Sequence, residues 1–304
     1  MKVLLGVKSD PIECRYSFDW LFGLMREHGI QRLQYGSSQA ALLADDEYFT
    51  SLRRQAERHG VMITSLFSAA REFGGFASGD PYLQAATRKL WERLIRVASL
   101  LGAQSAGTNA TLAYRDKPHL KEEGILQFFA NAKELMGVAR KAGLQALTTE
   151  PMSCSWEFPS TPEEIDRFVE QLVPFHRDHG DTTVPALFCG DISHGLADEH
   201  RTVLHDNWVL FESEIPWMWE FHFKNTDAIF NATFGFGHEE RERGIIDLQR
   251  LKTILERNAH RFPRSEETVG YLEIPGPKVG RDYTDGQLER MLADSLDALR
   301  EVFA

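Results

Sequence analysis

The chain has 304 residues, of which 42% are hydrophobic and 26% charged, and its formal net charge is −11. This is an ordinary globular balance that can bury a large core. An acidic surface repels phosphate backbones, which argues against nucleic acid as a partner.

Three cysteines, Cys14, Cys154 and Cys189, are odd in number and widely spaced. They form neither a disulfide framework nor a CxxC motif, so a reducing compartment is expected. The opening MKVLLGVKSDP has one short apolar run, closed by Lys8 and Asp10, that reads as a strand and not as a signal peptide. No stretch reaches the roughly 18 apolar residues of a membrane helix. The expectation is a soluble, cytoplasmic protein with no membrane partner.

Short apolar runs alternate with longer amphipathic ones. Residues 3–7 read as a strand and 18–28 as a helix; 32–35 and 46–59 repeat the pair. The β-branched run 61–67 precedes a long helix over 81–101, with Leu90, Leu94, Val97 and Leu101 at helical spacing. The short run 103–107 precedes a second long helix over 121–142, which Gly143 stops. Residues 144–150 read as the fifth strand. Ser160-Thr161-Pro162-Glu163-Glu164 then opens a helix with a capping hydroxyl, an early proline and acids beside the positive helix end. Strand 186–191 precedes a poorly defined sixth helix near 198–211. Strand 219–224, helix 247–258, strand 269–273 and a last helix opening at Thr284 complete the pattern.

Alternating strands and helices demand parallel strands joined by right-handed crossovers. Eight such units suggest closure into one (β/α)₈ barrel, the TIM barrel, spanning residues 1–304. A doubly wound open sheet is the competing arrangement. No glycine-rich dinucleotide fingerprint follows the first strand, which counts against it.

Four successive strands in the second half end in metal-ligating residue types. Glu150 follows Leu147-Thr148-Thr149, Asp191 follows Phe188-Cys189-Gly190, His222 lies in Glu220-Phe221-His222-Phe223-Lys224, and Glu273 follows Gly270-Tyr271-Leu272. In a parallel barrel these ends share the face that carries the chemistry. Three carboxylates and an imidazole converging there repel one another as bare groups, and a divalent cation resolves that conflict. Three oxygen donors and one nitrogen suit Mn²⁺, Mg²⁺, Co²⁺ or Zn²⁺. Taken singly, each residue has a plainer reading as a helix cap, a surface acid or a core histidine. Side chains two apart on a strand share a face, so Glu220 and Lys224 point as His222 does. Lys224 is then placed either to bind a substrate oxygen or to leave the rim for solvent. Cys189 falls one layer below Asp191, as a small filler. His194, in the loop Ile192-Ser193-His194-Gly195, can reach substrate or metal.

These segments, Thr149-Glu150-Pro151, Asp191 with His194 three residues on, His222-Phe223-Lys224-Asn225 and the closing Glu273, resemble the xylose-isomerase-like barrel superfamily. The likeness is to its ketose 3-epimerase and sugar-phosphate isomerase/epimerase branch. Phe234-Gly235-Phe236-Gly237 followed by Gly244-Ile245-Ile246-Asp247 resembles that branch's glycine-rich loop, and the similarity covers essentially the whole chain. The resemblance implies one divalent ion, Mn²⁺ first among the four, held by Glu150, Asp191, His222 and Glu273. It implies that Glu150 and Glu273 also act as an acid/base pair on opposite faces of the substrate, and that His194 contacts substrate. Two departures stand out. The epimerases carry an arginine six positions after the metal-binding histidine, where this chain has Ala228 in an apolar loop with Ile229, Phe230, Phe234 and Phe236. The multi-metal DNA-repair endonucleases of the superfamily need histidines on the third and fourth strands; here those ends read Ser65-Leu66-Phe67-Ser68 and Gly107-Thr108-Asn109.

The implied chemistry is proton transfer beside a metal-bound carbonyl of a ketose or keto sugar, or its phosphate, through an enediolate. Proton return to the opposite face gives an epimer; return to the neighbouring carbon gives an aldose–ketose isomer. A lyase or decarboxylase of a keto sugar, sugar acid or 3-keto glycoside would use a similar enolate. Trp156, Phe158, Trp208, Trp217, Trp219, Phe230, Phe234 and Phe236, if gathered at the mouth, would stack on a sugar or an aromatic aglycone. They would serve equally to pack helices on the barrel or to form a homo-oligomer interface. A barrel that binds a metal or ligand as a sensor or scaffold is the remaining class. Gly280-Arg281 is the sole phosphate contact suggested, and a rim salt bridge explains it as well.

Overall fold

A computed structural model describes residues 1–69, 75–274, 282 and 286–304. Eight parallel strands form a closed barrel: β1 (Lys2–Lys8), β2 (Arg32–Tyr35), β3 (Met62–Phe67), β4 (Ser105–Gly107), β5 (Ala146–Thr149), β6 (Ala186–Asp191), β7 (Met218–Phe223) and β8 (Glu267–Leu272). Each strand pairs with the next in chain order. β8 returns to β1, with Lys2 opposite Glu267 and Val7 opposite Leu272. Closure rules out the open sheet, and it removes every strand edge.

The helices are α1 (Phe18–Glu27), α2 (Ser38–Leu43), α3 (Asp46–Arg58), α4 (Pro81–Leu101), α5 (Leu120–Lys141), α6 (Pro162–Asp178), α7 (Asn207–Glu214), α8 (His238–Arg243), α9 (Leu248–Arg257) and α10 (Leu288–Phe303). Local chemistry sets their ends. Asp80 accepts from the Tyr82 and Leu83 amides ahead of Pro81, and α4 stops at Gly102, whose φ of 76° is left-handed. Thr161 caps α6 through the Glu164 amide, and the Glu164 carboxylate reaches back to the Ser160 amide, a reciprocal arrangement. The stripe Leu90, Leu94, Val97 and Leu101 is buried against the barrel as its spacing requires.

The sixth helix differs from expectation. It begins at Asn207, not near 198. The Asp198 carboxylate accepts from the His200 and Thr202 amides, holding a tight turn that joins Leu196–Ala197 to Val203–His205 as an antiparallel ribbon. The working cap is Asp206, which accepts from the Trp208 amide. Thr284 lies outside the described residues, as do Gly280 and Arg281.

The barrel interior is filled in layers. Its N-terminal floor is Ala146, Leu187 and Trp219 with Trp217 against them, and the Arg264 guanidinium lies 3.9 Å from the Trp219 ring centre. Above the floor, the buried Glu220 carboxylate accepts from Ser65, Ser105 and Thr148. A second polar contact joins Thr64 to the Tyr271 hydroxyl. Gly107 supplies room in this layer: a Cβ there would collide with Thr148 and with Phe67, whose ring meets His222 edge-on.

Five of the eight candidate aromatic residues are taken up by packing. Trp217 and Trp219 belong to the floor. Phe158 packs on Phe128 and Phe129, Phe236 is fully buried, and Trp208 is buried beneath the Arg250 guanidinium. Packing accounts for these five; Trp156, Phe230 and Phe234 keep partial exposure. No helix among the described residues is long and apolar enough to cross a membrane.

Candidate metal centre

Above the polar layer, Glu150, Asp191, His222 and Glu273 each offer one donor atom, and the four atoms lie within 4.8 Å of one another. Strand register brings them there. His222 pairs with Asp191 on one side and with Tyr271 on the other. The Glu273 amide donates to the Phe223 carbonyl, extending the β7–β8 pairing to the last ligand. Asp191 and His222 are fully buried, Glu150 nearly so, and Glu273 keeps an open edge.

The imidazole is oriented from across the ring. Ser65 donates to Glu220, so its oxygen is free to accept from the Gln34 amide nitrogen. That turns the Gln34 amide oxygen toward His222 Nε2, 2.7 Å away. Nε2 therefore carries a hydrogen, and Nδ1 faces Glu150 Oε1 at 2.8 Å, Glu273 Oε2 at 3.1 Å and Asp191 Oδ2 at 3.7 Å. Burial alone would lower the His222 pKa. Cys189, Glu273, Glu150 and Asp191 outweigh it and hold the pKa well above the usual value. A divalent ion would take the place of that Nδ1 proton.

The carboxylates are held as anions. Burial alone would raise all three, yet the cations around them win. His222, Lys224 and His194 bring Glu150 down; His194, Lys224 and His222 bring Asp191 down; His222, Lys224 and Lys8 bring Glu273 well down. Asp191 Oδ1 accepts from the Ser193 amide and hydroxyl, leaving Oδ2 for the cluster.

Lys224 Nζ lies 2.5 Å from Asp191 and 2.8 Å from Glu273, so it faces the site and not solvent. His194 Nδ1 donates to the Pro151 carbonyl, and its Nε2 lies 3.4 Å from Asp191. Cys189 is a buried filler as expected, with Sγ 3.4 Å from His222 Nε2.

Lys8, Asp10 and Gln34 went unread as participants in the sequence. Lys8 Nζ lies 2.5 Å from Glu273 and 2.9 Å from Asp10, and Gln34 orients the imidazole. The signal was slight: Lys8 closes the apolar run of β1, and Gln34 sits between Leu33 and Tyr35 in β2. The charges also make a test of fit. Four carboxylates, Asp10, Glu150, Asp191 and Glu273, face two ammonium groups, Lys8 and Lys224. With His222 and His194 both counted as neutral imidazoles the excess is two negative charges, which one divalent cation balances. The donor set and its charge both fit such an ion.

A closed parallel barrel that collects three carboxylates and an imidazole at its C-terminal strand ends belongs to the class of barrels built around a candidate metal centre. Within that class, the chain belongs to the xylose isomerase-like TIM barrel family, whose profile matches residues 22–301. No curated protein sequence matches it. Among solved structures, the fold is similar to that of a xylose isomerase candidate from Rhodospirillum rubrum, with 20% identity, 99% of each chain covered and a TM-score of 0.75. It is similar to the D-psicose 3-epimerase of Clostridium cellulolyticum, with 16% identity, 100% of this chain and 99% of that one covered, and a TM-score of 0.71. It is also similar to the 3-keto-D-glucoside 4-epimerase of E. coli, with 13% identity, 99% of this chain and 100% of that one covered, and a TM-score of 0.64.

Proposed function

We propose that the protein is a divalent-metal-dependent isomerase or epimerase of a ketose or other keto sugar, working by proton transfer beside the carbonyl. The observation that carries this reading is the convergence of Glu150 and Glu273 with Asp191 and His222 in one buried cluster. When bound, a divalent ion, Mn²⁺ by preference, supplies Lewis-acid polarisation of a carbonyl.

The chain's own residues divide the remaining work. Ser193 and Gln34 tie down Asp191 and His222, which suits them to a holding role. Glu150 on the β5 side and Glu273 on the β8 side flank His222, an arrangement suited to proton removal at one face and return at the other. His222, Lys224 and Lys8 keep Glu273 ionised, the state in which a carboxylate can accept a proton. Lys224, in contact with Asp191 and Glu273, is the cation proposed to meet a developing enediolate oxygen, and His194, beside Asp191, is the proposed substrate contact. The epimerases of similar fold support the substrate class, since their names carry keto sugars. A small-molecule sugar is thus the proposed partner. The cytoplasm is the proposed setting, consistent with three free cysteines.

The test is incubation of the Mn²⁺-supplemented protein with ketohexoses and 3-keto sugars in D₂O. Deuterium should enter at the carbon next to the carbonyl without loss of mass. Glu273→Gln should keep the fold and abolish exchange; exchange that persists in that variant removes the acid/base assignment. Release of CO₂ or of an aglycone would replace the isomerase reading with a lyase.

A further inference from the structure

Asn109 is a buried polar residue that the metal centre does not use. It is 6% exposed, and neither its Oδ1 nor its Nδ2 has a hydrogen-bond partner among the described residues. A buried amide left unpaired at both ends is expensive, and native folds seldom keep one without a use.

Its position suggests the use. Along β4, Ser105 points into the barrel, where it donates to Glu220, and Gly107 abuts the interior side chains of Thr148 and Phe67. Continued two residues past the strand end at Gly107, period-two alternation would put residue 109 on that same face. The β4–β5 register pairs Ser105 with Ala146 and Gly107 with Thr148. Extrapolated two residues beyond the paired segment, the same register would place Asn109 opposite Glu150. Paired strands lie about 4.8 Å apart, so the amide stands at the mouth, one strand from the carboxylate cluster.

We infer that Asn109 anchors a substrate subsite that reads hydroxyl groups of the sugar chain beyond the carbons held over the cluster. The inference rests on the keto-sugar reading above. A carboxamide offers one accepting oxygen and two N–H donors, and each sugar hydroxyl both donates and accepts, so a vicinal pair satisfies both ends. The amide is neutral and brings no charge of its own to an acid group. The subsite therefore selects a neutral polyol chain over a carboxylate or phosphate tail, and a five- or six-carbon keto sugar over a three-carbon one.

The experiment uses unreactive probes: NMR titration of the Mn²⁺-supplemented protein with sorbitol and with glycerol, for the wild type and Asn109→Ala. The sorbitol Kd should rise about tenfold in Asn109→Ala, as loss of one or two neutral hydrogen bonds implies. The glycerol Kd and the Mn²⁺ affinity should not change. Melting temperature should hold or rise, because the variant removes an unpaired amide. Equal sorbitol binding by both proteins, or no sorbitol binding by the wild type, overturns the subsite. A lowered melting temperature with weakened Mn²⁺ binding assigns Asn109 a structural role and overturns it too. Isomerase turnover with sorbitol binding indifferent to Asn109 leaves the proposed function standing without the subsite. Sorbitol binding that depends on Asn109, with no turnover of any keto sugar, does the reverse.

Discussion

Gln34 on β2 and His222 on β7 meet at 2.7 Å, amide oxygen to Nε2, and this one contact decides which imidazole nitrogen faces the carboxylates. Removing such an outer hydrogen bond from a ligating histidine typically costs about 10–100-fold in metal affinity. Gln34→Leu should weaken Mn²⁺ binding on that scale, whereas Gln34→Glu keeps an accepting oxygen and should bind more tightly than Gln34→Leu. Titration followed by electron paramagnetic resonance measures both. Wild-type affinity in Gln34→Leu would show that the imidazole is oriented by other means.

A divalent ion that balances the buried charge should stabilise the fold by mass action, by about 2.7 kcal/mol at a hundredfold excess over its Kd. Melting should shift upward with Mn²⁺ and return with chelator. Asp191→Asn removes one ligand charge from a fully buried site and should abolish most of the shift. An equal shift in that variant would place the ion elsewhere.

Glu214 of α7 presents a different pH dependence. Both of its carboxyl oxygens are buried without a hydrogen-bond partner among the described residues. Its Oε2 lies where a side chain on Gly190 would sit, on the face of β6 that Phe188 turns toward Phe168 of α6, away from the cluster. Burial, reinforced by Asp191 and Glu150, holds its pKa well above the ordinary 4.5. Above that value the unfolded chain loses the proton while the folded chain keeps it, so stability falls as pH rises through the window. Glu214→Met should stabilise the protein by about 1–3 kcal/mol through loss of the unpaired carboxyl alone, and the advantage should grow with pH. Urea unfolding at about pH 5 and about pH 8 measures the trend; a flat or reversed difference would refute it.

The three thiols should separate by accessibility. Cys14 is exposed, Cys154 is partly so, and Cys189 is buried. Burial pushes the Cys189 thiol up to about 12, although His222 pulls the other way. At neutral pH a thiol-reactive chromophore should label two cysteines in the native protein and the third only in denaturant. Rapid labelling of all three would mean that the barrel interior opens readily.

The barrel was legible in the sequence because strand ends and helix caps are local chemistry. Glu150, Asp191 and Glu273 each close a strand, and Thr161 and Gly143 punctuate helices, so period and position sufficed. What escaped depends on closure. Lys8 and Gln34 lie on strands that reach the metal-ligand half only once β1 meets β8, and nothing in their own neighbourhoods reports that meeting. The aromatic residues escaped for another reason: hydrophobic spacing tells which face a residue takes but not which end of the barrel it occupies. Trp219 begins β7 and His222 nearly ends it, so one lies in the floor and the other in the site.

The bond from Lys8 to Glu273 joins residues 265 positions apart, on the first and last strands of the ring. Loss of a few residues near either of those strands would leave the other strands their own partners, yet it would open the β1–β8 seam, which a ladder of residue pairs and this bond hold. Chemistry at this mouth would then vanish well before bulk structure did. Turnover thus doubles as a proofreading signal: a polypeptide nicked or cut short in either outer strand would announce itself by silence at the site.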